Sequence, residues 1–457
     1  MKKRVNIRHL VWLLLIGLAM STMWACKRTV HFVPCDQWPE IFPDYVGVTV
    51  PAAMAADEGA LFAFEMVDGR KCEVERRREG DTIWCTVCAW EEGSSEGLRY
   101  KPFPMYVSPD DIDPYVAYRL IEPGYESWSN IAICQRRLAG FEETTIVSNR
   151  VNERGCINCH SFDRSQPGRM LFHSRGQKNG TVMVENGQAR MVDIKALGPH
   201  RQPSYPAWHP GGRYVAFSSN DVQQCFMLHG AQPIEVYDNW SDIILYDTKR
   251  RTVVADSALN TEEVWETFPT WSPDGRRLYY CAADSVSHLP INRSRTHYRL
   301  MVVDFDPEAG HFSGKPQEVK LGGLDMTQHS VSHPRISGHY LLFTLTDYGT
   351  FPIWHDEADL WLLDMASGEV RPCDELNSHK ADSYHSWSKN GRWVVFGSRR
   401  LDGRYTRLYF SHFDSGRFTK PFLLPQEDPA ENRLRLKSFN VPEFVETSTA
   451  EIKNIKF

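Results

Sequence analysis

Several features that define common protein classes are scarce in this sequence. Of its 457 residues, only 10–25 form a long apolar run, which excludes a polytopic membrane protein. The formal net charge is −6, and because phosphate binding requires a positive surface, nucleic acid is not expected as the main partner. No phosphate loop or dinucleotide fingerprint is present. Aromatic residues, in contrast, make up 12% of the chain, which excludes a disordered protein.

The N-terminus has the pattern of an export signal. Residues 1–9 contain basic but no acidic residues, and 10–25 are apolar but too short to span a membrane comfortably. Residues 1–25 are therefore predicted to be a signal peptide of the lipoprotein type, with ordinary secretion or an uncleaved anchor helix as alternatives. All three place the mature chain outside the cytoplasm, where haem can be attached covalently and disulfides persist.

The end of this segment, Met23-Trp24-Ala25-Cys26, resembles a bacterial lipobox. The resemblance implies that Cys26 becomes a lipid-modified N-terminus, although that family prefers Leu in place of Met23 and a small residue in place of Trp24. Basic rather than acidic residues follow Cys26. We therefore expect a lipid-anchored protein of the cell envelope, on the periplasm-facing side of the outer membrane, with the lipid as its only membrane attachment.

One pattern recurs five times in the middle of the chain. In each copy a glycine precedes a short β-branched and aromatic run, and four of the copies have a related lead-in. The glycines stand at 168, 212, 275, 338 and 391, and the lead-ins are YPAWHPG, FPTWSPDG, HPRISG and YHSWSKNG. A turn followed by such a run is typical of a β-strand in a hairpin.

Each of the later units contains a second hairpin pattern. Strand, polar turn and returning strand are visible at 242–254, 299–312, 359–372 and 407–421. Two hairpins make four antiparallel strands per unit of roughly 45 residues, which is the arrangement of a propeller blade.

The lead-in WSPDG at 271–275, with the strand after it, resembles the repeat of TolB-like β-propellers. The resemblance covers residues 163–440 and implies an all-β protein with a six-bladed propeller over 163–457. Because only five repeats are visible, the sixth blade is expected to combine 437–445 with a strand from before residue 163. That combination would close the ring.

Residues 26–150 lack the repeat. They contain candidate strands at 61–67, 82–90 and 129–138, separated by polar turns. This region is predicted to be a small β-rich N-terminal domain, with 113–128 packing against the propeller.

One motif carries chemistry. Residues 156–160, Cys-Ile-Asn-Cys-His, have the C-x-x-C-H spacing of a c-type haem attachment site. Two thiols at this spacing can bond the two vinyl groups of one porphyrin, and the adjacent histidine can bind the iron. The sequence thus predicts one covalent haem held by Cys156, Cys159 and His160 in an attachment loop over 151–162. A disulfide or zinc pair formed by the two cysteines is the alternative. The motif also resembles an insertion found in a group of TolB-like envelope lipoproteins.

The surroundings of this motif differ from those in a cytochrome. The short connection from His160 to the first repeat leaves no room for a helical cytochrome domain. We therefore expect the propeller and the N-terminal domain to enclose the haem. Arg154 and Arg175, with Arg164 and Arg169, are close enough in sequence to pair with its propionates.

The second axial ligand of the iron is predicted to be His173. Met170 and His173 are three residues apart in the first repeat strand, so they point to opposite faces and only one can reach the iron. The other repeats have Ser, Cys, Thr or Gly at the position of His173, so packing does not require a histidine there. Met170, His200 and His209 are the alternatives. Ligation by two histidines would indicate a low potential, and Met would raise it.

Three function classes remain open. The sequence favours a haem-bearing propeller that transfers electrons or binds a redox or structural protein partner in the envelope. The second class is a non-catalytic scaffold or ligand-binding propeller, in which the C-x-x-C-H motif is a disulfide or metal clip. The third is an enzyme acting on a small molecule. Fold does not choose among them, because propellers host many functions.

Overall fold

The chain forms an all-β protein with a six-bladed propeller, which confirms the predicted fold class. Its computed structural model describes residues 30–456 apart from 43, 56–64, 67–69, 123–129, 193, 195–201, 228–231 and 233. The predicted signal peptide, Cys26 and His200 lie outside the described residues. Within the described part of the chain, no helix is long and apolar enough to cross a membrane.

The N-terminal region forms a six-stranded sheet and a two-stranded ladder. The strands are β1 (His31–Pro34), β2 (Ile41–Phe42), β3 (Thr49–Pro51), β4 (Glu65–Met66), β5 (Lys71–Glu79), β6 (Thr82–Trp90), β7 (Glu96–Arg99) and β8 (Phe103–Ser108). The large sheet has the order β1-β7-β6-β8-β3, with β5 also paired to β6, and β2 pairs with β4. Its buried face shares one hydrophobic cluster with blades five and six, including Val50, Phe103, Val116 and Phe410.

Five of the blades are built from consecutive strands. Blade one is β12 (Ile157–Phe162), β13 (Arg169–Ser174), β14 (Gly180–Glu185) and β15 (Gln188–Val192). Blade two is β16 (Gln202–Trp208), β17 (Tyr214–Phe226), β18 (Ile234–Asp247) and β19 (Thr252–Ala255). Blade three is β20 (Val264–Trp271), β21 (Arg277–Asp284), β22 (Arg299–Asp306) and β23 (His311–Glu318). Blade four is β24 (Ser330–Ser337), β25 (Tyr340–Thr346), β26 (Asp359–Asp364) and β27 (Val370–Pro372). Blade five is β28 (Asp382–Trp387), β29 (Trp393–Ser398), β30 (Arg407–Asp414), β31 (Arg417–Phe418) and β32 (Phe422–Leu423).

Blade six joins the two ends of the chain. Its outer strands are β9 (Tyr115–Ile121), β10 (Ala132–Arg137) and β11 (Glu143–Ser148), and its inner strand is β33 (Ser438–Val445). A last strand, β34 (Ile455–Lys456), adds to β15 of blade one. The structure therefore differs from the predicted boundary at residue 150, because 115–148 belong to the propeller. The second half of the predicted loop 151–162 is β12, the inner strand of blade one.

Helical segments are short among the described residues. One helix, α1 (Glu431–Leu434), precedes β33, and 3-10 turns lie at Asn149–Asn152, Asp163–Ser165, Arg293–Arg295 and Pro352–Trp354.

The repeat glycines mark the turn between the inner and second strands. Gly212, Gly275, Gly338 and Gly391 have φ between 57° and 70°, a left-handed conformation that favours glycine. Gly168 in blade one is not among the positive-φ residues. The recurrence of glycine in four blades thus follows from one turn geometry.

Glu266 in β20 is buried, and its Oε2 has no hydrogen-bond partner among the described residues. Burial and the nearby carboxylate of Asp242 raise the pKa of Glu266 to about 9. The folded-state pKa of Glu266 lies above its pKa in the unfolded chain, so the protonated carboxyl contributes its full stability to the fold at low pH. This stability is lost as the pH rises from about 4 to about 9.

Glu266→Gln should therefore stabilise the protein, and the gain should grow with pH. We expect on the order of 5 kcal/mol at pH 8 and about 1 kcal/mol at pH 5, since each pH unit between the two pKa values is worth about 1.4 kcal/mol and an amide needs no proton to stay neutral. Thermal melts at both pH values measure this difference. Glu262→Gln, at an exposed position before the same strand, is the control. A gain that is equal at the two pH values would contradict the prediction.

Candidate functional site

The inner strands of all six blades share one irregularity. In each, the pairing register with the second strand shifts at the same repeat position, which defines a β-bulge. One residue at each bulge has φ between 45° and 52°. In blades one to six these residues are Cys159, Tyr205, Phe268, His333, Tyr384 and Val441. We call them the axial ring.

The side chains of the axial ring gather at the propeller axis. The rings of Tyr205 and Phe268 have centroids 4.3 Å apart, those of Phe268 and His333 are 4.0 Å apart, and those of His333 and Tyr384 are 4.4 Å apart. Bulges often redirect a side chain, and here they turn six of them inward. Cys159 of the C-x-x-C-H motif is thus a member of a six-fold ring.

A cavity of about 1660 Å³ is lined by every member of the axial ring except Phe268. Cys156, Cys159 and His160 all line it, together with residues from every blade. Ligand cavities are typically about 300–1,000 Å³, so this space is large enough for a porphyrin-sized group. The fold therefore places the whole motif on the wall of one cavity.

His160 occupies a repeat position that other blades fill with a different group. The residue after the axial ring is proline in four blades, Pro206, Pro269, Pro334 and Pro442, and histidine in two, His160 and His385. His385 lies 2.9 Å through Nε2 from the carbonyl oxygen of Leu342. Both ring nitrogens of His160 are buried, and neither has a hydrogen-bond partner among the described residues.

The electrostatic state of His160 suits a metal ligand. Burial and the charge of Arg119 lower the pKa of its imidazole to about 3, so the ring is neutral at physiological pH. A neutral imidazole with an unpartnered nitrogen can donate a lone pair to iron. Since an unsatisfied buried polar group costs about 1–3 kcal/mol, this site favours an additional partner.

The two motif cysteines do not form a disulfide. Cys156 is 9% exposed and Cys159 is partly exposed, and both are free cysteines. Burial raises the pKa of the Cys156 thiol, and the charges of Arg119 and Arg175 oppose this shift. Among the described residues no group of three or more His, Cys, Asp or Glu side chains is arranged to hold a metal ion.

Two arginines of the cavity wall lie beside the thiols. Arg175 donates from one guanidinium nitrogen to the Pro203 carbonyl at 2.8 Å and to Ser204 Oγ at 3.1 Å. Arg119, from blade six, donates to the Ile157 carbonyl at 3.4 Å. Its buried Nε has no partner among the described residues. Both guanidinium groups belong to the cavity wall.

The remaining arginines predicted to meet propionates have other positions. Arg164 lines the cavity and pairs with Asp163. Arg169 also pairs with Asp163, at 2.8 Å, and does not line the cavity. Arg154 is exposed and does not line the cavity either. The structure therefore brings Arg175 and Arg164, but not Arg154 or Arg169, to the cavity.

The structure does not bring His173 to the cavity wall. Its ring lies between blades one and two, 5.8 Å from the ring of Phe217, and its Nδ1 is 2.9 Å from Thr181 Oγ1. His160 adjoins Arg119 of blade six instead, so the two imidazoles lie on opposite faces of blade one. The sequence alone could not reveal this, because the bulge at Cys159 breaks the strand alternation between the two histidines.

Met170 and His209 also lie outside the cavity wall. Met170 is fully buried in the apolar cluster between blades six and one. The ring nitrogens of His209 lie 2.9 Å from the Gly275 carbonyl and from the Gly211 amide. His200 lies outside the described residues.

Sequence reasoning missed two features of this site, Arg119 and the axial ring. Arg119 comes from a strand that carries no repeat signal. The ring had a visible signal, because Cys159-His160-Ser161-Phe162 matches the lead-in YHSW at 384–387. The C-x-x-C-H motif therefore overlaps the first copy of the propeller repeat.

Fold and site together define a six-bladed β-propeller with a thiol- and histidine-lined axial cavity. No protein-family model and no curated protein matches the chain. Several solved structures show weak similarity to the chain at low identity. A puromycin-hydrolysing peptidase of Mycobacterium tuberculosis is 14% identical, with a TM-score of 0.38, over 87% of this chain and 57% of its own. The chain thus spans little more than half of that peptidase.

Two further solved structures have similar likeness. The β-propeller domain of the trilobed protease from Pyrococcus furiosus is 13% identical, with a TM-score of 0.35, over 77% of this chain and 97% of its own. An oligogalacturonate lyase of Vibrio parahaemolyticus is 11% identical, with a TM-score of 0.37, over 66% of this chain and 71% of its own.

Proposed function

We propose that this protein carries one covalently attached c-type haem in its axial cavity and acts in electron transfer or partner binding in the cell envelope. The main support for the proposal is a difference between two histidines, His160 and His385, that hold the same repeat position in two blades. His385 has a protein partner at its repeat position, whereas His160 has none among the described residues and follows the two motif cysteines. Haem iron, when bound, supplies reversible one-electron chemistry.

Different residues of the cavity wall would hold different parts of the haem. Cys156 and Cys159 would bond the porphyrin edge, and His160 would bind the iron. Arg175 and Arg119 would pair with the propionates as charge-assisted hydrogen bonds. The apolar and aromatic side chains of the axial ring would limit the access of water, which governs the potential of the iron.

His160→Ala and His385→Ala form a matched pair that tests this proposal. Both remove a buried imidazole from the same repeat position. After co-expression with the haem-attachment machinery, His160→Ala should lower the haem absorbance per protein at least about tenfold, since loss of even an outer-shell metal partner costs that much. His385→Ala should keep its haem. Absorption spectra of the pyridine haemochrome measure the difference.

The wild-type protein decides between this proposal and its alternative. Absence of covalent haem, in cells where attachment is active, would return the motif to a disulfide or metal clip of a scaffold or ligand-binding propeller. Equal haem loss in the two variants would indicate that only blade packing was disturbed.

We further propose that the protein belongs to the TolB-like envelope lipoproteins and is anchored by lipid on Cys26. The basic leader, the apolar run and the Ala25-Cys26 pair support this location. Intact-mass measurement of the mature protein tests it together with the haem, because cleavage before Cys26 and acylation give a defined mass. A mature chain that starts elsewhere, or lacks lipid, would contradict the anchor without affecting the haem proposal.

A further inference from the structure

Three arginines from three consecutive blades line the axial cavity. Arg399 belongs to blade five, Arg119 to blade six and Arg175 to blade one. Arg175 and Arg399 directly follow the second strands of their blades, β13 and β29, and Arg119 lies near the end of β9, the second strand of blade six. Because the second strands of a propeller run in the same direction, the three side chains lie near the same end of the cavity. We call them the arginine arc.

Arg399 is a buried cation whose donors meet only neutral acceptors. All of its hydrogen bonds to described residues go to backbone carbonyls, those of Arg404, at 2.6 Å and 3.2 Å, and Ile353, at 3.2 Å. The guanidinium carbon lies 3.9 Å from the ring centre of Trp354. Burial lowers the pKa of Arg399 to about 10, so the group is still charged at neutral pH. Because a buried charge is costly without an opposite charge, this position favours an anion as an additional partner.

Arg119 lies between its two neighbours in the arc. Burial raises the pKa values of Cys156 in blade one and Tyr384 in blade five, and the charge of Arg119 opposes both shifts. One of its terminal nitrogens is 3.4 Å from the Ile157 carbonyl oxygen, and its buried Nε has no hydrogen-bond partner among the described residues. Arg119 therefore has an N–H donor that the protein does not use.

The cavity lining has an excess of positive charge. Its described residues include seven basic side chains and three acidic ones, Glu122, Asp221 and Glu443, although the whole chain has more acidic than basic residues. Burial raises the pKa of Glu443 to about 8, so this carboxyl is mostly neutral at pH 7. A cleft lined by charge of one sign raises the local concentration of the opposite ion. The axial cavity thus attracts anions in a protein that is negative as a whole.

We infer that the arginine arc binds a small organic anion that carries two or three carboxylate groups. A guanidinium group can bind a carboxylate through two parallel hydrogen bonds, and three of them on separate blades can each take a different carboxylate of one ligand. Aromatic side chains of the same cavity, Phe351 and Tyr384 among them, would cover its apolar body. The inference does not require the haem, whose propionates would compete for the same cations.

The test uses the full-length chain made in cells without the haem-attachment machinery. Titration calorimetry measures the binding of benzene-1,3,5-tricarboxylate, with benzoate and inorganic phosphate as comparison probes. The tricarboxylate should bind at one site and raise the melting temperature, and benzoate should bind at least about tenfold more weakly. Arg399→Gln and Arg119→Gln should each weaken tricarboxylate binding about tenfold, because a charge-assisted hydrogen bond is lost. Arg417→Gln, at an exposed position of blade five outside the cavity, should bind like the wild type.

Other outcomes overturn the inference. It is wrong if the tricarboxylate does not bind, or if all three variants weaken its binding equally. Phosphate binding as tight as that of the tricarboxylate would assign the arc to a single inorganic anion instead. If Arg399→Gln does not fold, Arg119→Gln decides, because its melting temperature without ligand should stay close to that of the wild type. The protein in this test contains no haem, so its results leave the haem proposal to the haemochrome measurement.

Discussion

Deletion of residues 437–457 is expected to unfold the whole propeller rather than one blade. The deletion removes β33, the inner strand of blade six, which pairs with β9 and contacts the inner strands on both sides. Phe439 and Phe444 in this strand are almost fully buried. Removing a buried phenylalanine side chain costs about 3–5 kcal/mol of stability. The loss of both is therefore comparable to the total stability of a typical domain, which is about 5–15 kcal/mol.

A polar contact adds to this closure. Glu443 of β33 accepts hydrogen bonds from the Phe162 amide of blade one, at 3.1 Å to each carboxylate oxygen. Removing the strand therefore also leaves the amide of the attachment strand without this partner. Closed rings depend on such contacts, because an open edge exposes both faces of a blade.

Calorimetry and circular dichroism measure the effect of the deletion. A shorter deletion, 454–457, removes only β34 at the outer edge of blade one and serves as the control. It should lower the melting temperature by a few degrees and keep a cooperative transition. If the 437–457 deletion melts with the wild-type midpoint and cooperativity, ring closure by this segment is wrong.

The double substitution Cys156→Ala with Cys159→Ala should abolish covalent haem. Only these two thiols lie beside His160 on the cavity wall within the described part of the chain. Thioether bonds require both thiols, so no covalent attachment should survive denaturation. Each single substitution should leave at most one bond. Intact mass after denaturation and the haemochrome spectrum measure the loss.

Cys281→Ala is the matched control for this double substitution. Cys281 is fully buried in the cluster between blades three and four and does not line the cavity. This variant should lose stability, by about 1–3 kcal/mol, but keep its haem. Covalent haem in the double variant would mean that another thiol is used, and the motif would lose its assigned role.

The repeat pattern predicted most of the propeller because it depends on local chemistry. In blades two to five the turn from the inner to the second strand has a glycine with positive φ, so Gly212, Gly275, Gly338 and Gly391 can be recognised from the sequence. Residues 115–148 carry no such signal, since their inner strand comes from the opposite end of the chain. Local pattern therefore assigned them to the N-terminal domain, and only long-range pairing places them in blade six.

The motif residues could also be predicted from residues that are neighbours in the chain, whereas the residues that surround the motif in space could not. C-x-x-C-H is a contiguous spacing, and Arg175 follows closely in the chain. Arg119 and His333 approach the motif only through the ring, from blades six and four. His173 was predicted because the other repeats have Ser, Cys, Thr or Gly at its position, but the bulge at Cys159 leaves His160 and His173 on opposite faces of blade one.

By itself, the amino-acid sequence determined the all-β class, the repeat and the haem-type spacing, because each is encoded by residues that are near one another in the chain. Tertiary structure alone decided which residues share the axial cavity. Closing six blades into a ring turns one residue of each inner strand toward the axis. It thereby places Cys159 and His333, which lie far apart in the sequence, on the wall of one cavity, and it leaves His173, which is close to His160 in the sequence, outside that wall. Distance along the chain carries no information about either result, because both follow from the geometry of ring closure.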